Sequence, residues 1–219
     1  MINIDDYRVI DLSQGIIPGE LKTNGNYLFG TVNNNRPLEI REFKAWNARM
    51  HKIEGQTHMG THVECPRKYD EEGQDFGIIP VTSFMGSAVA CNFQNKKSGD
   101  RITSDDFRYC GVTTGDIVLA WGSSSVPEEQ AYISDEAINW LMRIKIKMFG
   151  CENIGHADPG TPYGIGDSDH KLLQSGIIFI DGLQGLHKIK KKRVFFIALP
   201  VRISRITASW TRAVALEEK

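Results

Sequence analysis

The spacing of apolar and polar residues predicts strands in the first half of the chain and alternating strands and helices in the second. Residues 8–13 and 38–53 have strand-like patterns, and 78–93 has a strand-like pattern interrupted by glycine. The continuous apolar run 117–121 indicates a strand that is covered on both faces. Ser134, followed by two acidic residues and an apolar stripe with helical spacing, is typical of the start of an amphipathic helix.

The later part of the chain continues this alternation. The patterns predict strands over 145–150 and 177–180, a short helix over 169–174, and closing strands over 194–199 and 201–206. No internal repeat or change of composition marks a linker. The sequence therefore predicts one α/β domain over residues 1–219, built on a mixed sheet.

Composition narrows the class of protein. The chain has 219 residues, 41% of them hydrophobic, which is enough for one sizeable core. Its 26 basic and 27 acidic residues give a formal net charge of -1. The chain therefore has no overall positive electrostatic potential that would bind nucleic acid or an anionic membrane. The first ten residues lack the apolar run of a secretory signal, and no segment is apolar enough to span a membrane. A cytoplasmic protein is expected, with its four cysteines present as reduced thiols.

The candidate chemistry lies in the run His58-Met-Gly-Thr-His-Val-Glu-Cys-Pro66. An extended backbone would send the side chains of His58, His62 and Glu64 to one face. Two imidazoles and a carboxylate match the ligand set of Zn²⁺, Mn²⁺, Fe²⁺ or Co²⁺. The alternative is that both histidines are surface or hydrogen-bonded core residues, because their spacing is common. The flanking Gly60-Thr61 and the Glu-x-Pro sequence favour a metal site.

This run resembles the signature His-x-Gly-Thr-His-x-Asp-x-Pro-x-His of the cyclase-like metal hydrolase family, which includes bacterial kynurenine formamidases and isatin hydrolase. Other segments resemble that family in the same order along the chain, namely Ile10–Ser13, Gly115–Leu119, Leu172–Leu173 through Ile177, Ile180–Leu183, Leu199–Pro200 and Thr211–Ala215. The resemblance implies a swivelling β/α/β domain that is usually a homodimer or a larger oligomer.

The resemblance also implies a set of metal ligands. His58, His62 and Glu64 match the first metal site, and Glu64 and Asp181 match two acids that bridge to a second metal. The expected cofactor is a divalent metal, Zn²⁺ or Mn²⁺, at one site, with the second site left open. The family's histidine for that second site falls on Asp169, and a small shift of register would place His170 there instead. Asp169 could equally be an acid at a helix N-terminus.

Lys68 stands where the family's motif ends in a histidine that acts as general acid and base. A lysine could carry the proton if its pKa were lowered, or it could hold an anionic substrate. It could also be a solvated lysine in a site that has lost hydrolysis. The expected activity is metal-dependent hydrolysis of an amide, lactam or lactone bond in a small molecule. The alternative is a diverged cyclase, lyase or small-molecule binding protein.

Overall fold

The computed structural model describes residues 3–23, 26–27, 36–156 and 168–219. The sequence predicts a loop or hairpin region over 27–36 and a long irregular segment with four glycines over 151–166. Most of the first region and residues 157–166 of the second lie outside the described residues.

The described residues form fifteen strands and three α-helices. The strands are β1 (Tyr7–Asp11), β2 (Lys22–Thr23), β3 (Asn26–Tyr27), β4 (Glu39–Ala45), β5 (Ala48–Glu54), β6 (His62–Glu64), β7 (Met85–Asn92), β8 (Arg101–Ile102), β9 (Ile117–Trp121), β10 (Tyr132–Ile133), β11 (Met148–Glu152), β12 (Ile178–Asp181), β13 (Arg193–Ile197), β14 (Ala208–Trp210) and β15 (Val214–Glu218). The helices are α1 (Ser104–Cys110), α2 (Asp135–Arg143) and α3 (Ser168–Gln174).

Nine of the strands form one mixed sheet, in the order β1-β15-β13-β7-β9-β11-β12-β6-β14. The four central strands β7, β9, β11 and β12 are parallel. Antiparallel strands extend the sheet on both sides, with β6 lying between β12 and β14. The predicted α/β class with a mixed sheet is confirmed.

Apolar side chains cover the sheet on both faces. Along β9, Val118 and Ala120 pack with the helices, whereas Ile117 and Leu119 join a second core on the opposite face. All five β9 residues are buried, which explains their unbroken apolar sequence. The helix face is completed by buried side chains of α1, α2 and α3, including Phe107, Ala137, Ile138, Leu141, Leu172 and Leu173.

The α2 prediction is confirmed in detail, because the Ser134 side chain accepts a hydrogen bond from the backbone N–H of Ala137 at the helix N-terminus. Three strand predictions differ from the structure. Within 78–93, only Met85–Asn92 is a strand, and Val81–Phe84 form a 3₁₀ helix. The strand predicted from residue 145 begins at Met148, because Lys145 has a φ of 54°. The segment 201–206 is not a strand, because it turns at Arg205, whose φ is 67°.

Strands β4 and β5 form an antiparallel hairpin, here called the arm, over residues Glu39–Glu54. Trp46 and Asn47 make its two-residue turn with φ values of 49° and 60°. Phe43 and Trp46 are exposed, the latter by 90%. The arm therefore presents apolar side chains to its surroundings.

Among the described residues, no helix has the length and apolar character that crossing a bilayer requires.

Candidate metal centre

Strand β6 places two of the candidate ligands. Val63, the middle residue of β6, packs in the core on the face opposite the helices. Because side chains alternate along a strand, those of His62 and Glu64 point to the face that carries the helices. His62 lies directly across from Asp181 in β12 and from Trp210 in β14. Residues separated by more than a hundred positions thus meet at one end of the sheet.

His58 reaches the same place by a different route from the one predicted. The chain is not extended from residue 58, because β6 begins at His62 and Gly60 adopts a φ of 62°. This left-handed bend is one that glycine makes without strain. It brings Nδ1 of His58 to 2.7 Å from Oε1 of Glu64. The predicted convergence is correct, although the expected extended backbone is wrong.

The three residues of the motif form a compact donor set. One ligand atom from each of His58, His62 and Glu64 can be chosen so that all lie within 4.8 Å of one another. Asp181 extends this set, because its Oδ2 lies 4.0 Å from Nε2 of His62. Two imidazole nitrogens and two carboxylates are suitable ligands for a divalent transition metal.

Hydrogen bonds fix the orientation of both imidazoles. Nδ1–H of the fully buried His62 donates to the carbonyl oxygen of Gly60 at 2.9 Å, since a carbonyl can only accept. Nε2 of His62 is therefore the ring nitrogen that faces the donor set, at 3.4 Å from Oε1 of Glu64. Nε2 of His58 hydrogen-bonds the hydroxyl of Thr207 at 2.9 Å, which turns Nδ1 toward the donor set.

Main-chain contact sets the distance between the ligand-bearing segments. Gly182 follows Asp181 with a φ of 67°, and a Cβ there would lie 2.3 Å from the carbonyl oxygen of Gly60. The hydroxyl of Thr61 donates to the carbonyl oxygen of Gly182 at 2.6 Å and accepts from the backbone N–H of Gln14 at 2.8 Å. The segments around residues 60 and 182 are thus held back to back without a side chain between them.

The charges of the two central carboxylates are strongly perturbed. Burial opposes ionisation of Glu64, but hydrogen bonds from His58 and His62 and the charge of Lys68 outweigh it and hold the pKa well below its usual range. For Asp181, burial and then the negative charge of Glu64 raise the pKa to about 8. Two carboxylates crowded in this way gain from a bound cation, so the residues present fit a divalent metal.

Lys68 lies at the edge of this donor set. It ends a short 3₁₀ turn that begins at Pro66, and its Nζ lies 2.8 Å from both Oε2 of Glu64 and Oδ2 of Asp169. Burial opposes the charge on Lys68, but the two carboxylates outweigh it and raise the pKa above the usual range. A lowered pKa, one of the alternatives that the sequence left open for this lysine, is therefore opposite to the direction found here.

The structure also places Asp169 and His170. Asp169 faces Lys68 and accepts a second hydrogen bond, at 2.9 Å, from the hydroxyl of Tyr69. His170 instead packs its ring against the ring of Tyr69, with centroids 4.3 Å apart. Asp169, one of the two residues considered for this position, therefore contacts the edge of the centre through Lys68.

Two contacting residues were not predicted, namely Thr207 and Tyr69. Thr207 precedes β14 and is 149 positions from His58, so no local pattern could connect them. Tyr69 follows Lys68 directly, and its contact with Asp169 becomes visible only once α3 is positioned. The sequence places His156 in a glycine-rich segment, as either a possible substrate contact or a loop-exposed bystander. In the structure its Nε2 lies 3.2 Å from Sγ of Cys151, and its ring packs against Phe179.

Comparison with known proteins identifies a family and similar proteins. Residues 10–158 match the family model Cyclase, described as “Putative cyclase”. A kynurenine formamidase from Geobacillus thermodenitrificans is 28% identical over 166 residues, which cover 74% of this chain and 77% of that protein.

Two solved structures share the fold over nearly the whole chain. Isatin hydrolase A from Labrenzia aggregata has a TM-score of 0.77 at 18% identity, covering 98% of this chain and 95% of that one. A protein described as a potential metal-dependent hydrolase with cyclase activity has a TM-score of 0.72 at 22% identity, covering 97% and 99%. The match of the family model to well over half of the sequence shows that the chain belongs to the cyclase family.

Proposed function

We propose that this protein is a metal-dependent hydrolase that cleaves an amide, lactam or lactone bond in a small molecule. The observation that carries the proposal is the donor set of His58, His62 and Glu64, whose ligand atoms lie within 4.8 Å of one another beside Asp181. The names of the similar proteins support it, because one is a kynurenine formamidase and another an isatin hydrolase. The word cyclase in the family description and in one neighbour's description stands, in the latter, beside metal-dependent hydrolase, so these names do not support a non-hydrolytic cyclase, lyase or binding protein.

The ligands of the metal would be Nδ1 of His58, Nε2 of His62 and the carboxylates of Glu64 and Asp181. Such a set of two nitrogens and two carboxylates suits Zn²⁺ or Mn²⁺. A divalent ion supplies Lewis-acid polarisation of the scissile carbonyl and a nucleophilic water at neutral pH. Thr207 and the carbonyl of Gly60 keep the two imidazoles turned toward the ion.

We propose a catalytic role for Lys68 as a fixed positive charge. Its raised pKa keeps the ammonium protonated at neutral pH, so it is unsuited to act as a general base. Two of its three N–H groups are used by Glu64 and Asp169. The third can donate to the oxygen that becomes negative when the carbonyl is attacked, or to an anionic group of the substrate.

The test combines metal analysis with a small substrate panel. Protein purified without chelator should contain stoichiometric Zn²⁺ or Mn²⁺ and should hydrolyse at least one of an N-formyl arylamine, an aryl lactam and an aryl lactone. His62→Ala should lose both the metal and the activity, whereas His187→Ala, at an exposed position, should retain both. Metal-free wild-type protein, or full activity in a metal-free state, would contradict the proposal. Bound metal without turnover of any panel member would favour the non-hydrolytic alternative.

We further propose that residues 1–219 act as one domain of a cytoplasmic homo-oligomer, either a dimer or a tetramer. The arm supports the oligomer, because an isolated two-stranded hairpin is marginally stable in water and this one exposes Phe43 and Trp46. The four free cysteines, three of them buried, support a reducing compartment.

A further inference from the structure

The two oxygens of Glu64 face different partners. Oε1 lies 2.7 Å from Nδ1 of His58, on the side of the donor set, whereas Oε2 lies 2.8 Å from Nζ of Lys68. A carboxylate that bridges two metal ions would give one oxygen to each ion. Here the second oxygen is already bound to an ammonium group.

The partners of this ammonium group are almost completely removed from water. The side chains of Glu64 and Asp169 are 1% and 8% exposed, and that of Lys68 is 18% exposed. Buried carboxylates require a compensating positive charge. Lys68 supplies it, and it does so at one point between two acids that come from separate parts of the chain.

A metal ion could not share this position with Lys68. An ion bound to Oε2 of Glu64 and Oδ2 of Asp169 would have bonds of about 2.1 Å to both oxygens. It would therefore lie between the same two atoms that Nζ bridges at 2.8 Å. Both steric contact and repulsion between like charges oppose that arrangement.

We propose that Lys68 makes this a one-metal centre, with its ammonium group taking the place that a second divalent ion would occupy between Glu64 and Asp169. The inference rests on the proposed metal site of His58, His62, Glu64 and Asp181. It goes further in assigning a stoichiometry of one ion per chain. It also assigns Asp169 to the lysine rather than to a metal.

The test is the number of Mn²⁺ ions bound by metal-depleted full-length protein. Equilibrium dialysis followed by elemental analysis should give one Mn²⁺ per wild-type chain at saturation. Its electron paramagnetic resonance spectrum with excess Mn²⁺, after free ion is removed, should be that of an isolated ion without exchange coupling. In Lys68→Ser and Lys68→Gln, a second and weaker Mn²⁺ should bind, and a spin-coupled pair should appear.

Lys96→Ser is the matched control, because Lys96 forms an ion pair of the same length, 2.8 Å, with Asp106 outside the centre. This variant should still bind one ion. Two ions in the wild-type protein would overturn the inference and leave the hydrolase proposal intact. A stoichiometry of one in folded Lys68→Ser and Lys68→Gln would also overturn it. If neither variant folds, the number of ions bound by the wild-type protein and its spectrum decide between one metal ion and two. Binding of no ion by wild-type protein would refute the metal centre itself.

Discussion

Replacing Thr207 by valine removes the hydroxyl that hydrogen-bonds Nε2 of His58 at 2.9 Å while keeping the size of the side chain. The ring would lose the contact that turns Nδ1 toward Glu64. Loss of such an outer partner typically weakens metal binding by about 10- to 100-fold. Because the His58 side chain is 32% exposed, water can replace part of the lost bond. We therefore expect an effect at the lower end of this range, with Zn²⁺ bound about tenfold more weakly, which is a loss of about 1.4 kcal/mol in binding free energy.

The assay is competition for Zn²⁺ between metal-depleted protein and a fluorescent chelator at neutral pH. Thr211→Val is the matched control, because its hydroxyl donates to the carbonyl oxygen of Leu199 at 3.1 Å and does not contact the centre. The control should bind Zn²⁺ as tightly as wild-type protein. A folded Thr207→Val variant within twofold of the wild-type affinity would refute the idea that Thr207 orients His58. An equal loss in both variants would show that the effect is not specific to the centre.

Three further predictions concern stability and assembly. Gly182→Ala should destabilise the fold by about 2 kcal/mol or more, since the added Cβ would lie 2.3 Å from the carbonyl oxygen of Gly60 at a φ of 67°; an unchanged urea midpoint would contradict this. Asp116→Asn should cost about 1–2 kcal/mol, because the carboxylate binds Arg193 through both oxygens at 2.7 and 3.0 Å. Burial opposes ionisation of Asp116, but the hydrogen bonds from Arg193 outweigh it and lower the pKa of Asp116 in the folded protein. The stabilisation from this carboxylate is therefore present above about pH 4 and is lost as the pH falls through the pKa of the folded state. Urea titrations in which the difference between variant and wild type persists at pH 2 would rule this out. Phe43→Asp in the arm should convert the oligomer to a monomer in light scattering, and an unchanged mass would exclude the arm as the interface.

Elements with a strong local signal could be predicted from the sequence. Five consecutive apolar residues predict the buried strand β9, and the Ser134 cap with its apolar stripe predicts α2. The convergence of His62 and Glu64 follows from strand alternation alone. In each case the information lies within a few neighbouring residues.

The remainder of the site depends on contacts that are distant in the chain. The position of His58 requires the left-handed bend at Gly60, and its orientation requires Thr207. The role of Lys68 depends on α3 bringing Asp169 within 2.8 Å of it. A sequence gives the residue types for these contacts, but tertiary packing decides which of them meet.

The back-to-back contact of Gly60 and Gly182 has a consequence for how the enzyme matures. Because main chain contacts main chain there, closure of the sheet sets the spacing of the segments that carry the candidate ligands. We therefore expect the metal-free chain to fold to the same sheet, unlike small zinc domains whose folding requires the ion. On that expectation, a metal ion can be loaded into protein that has already folded.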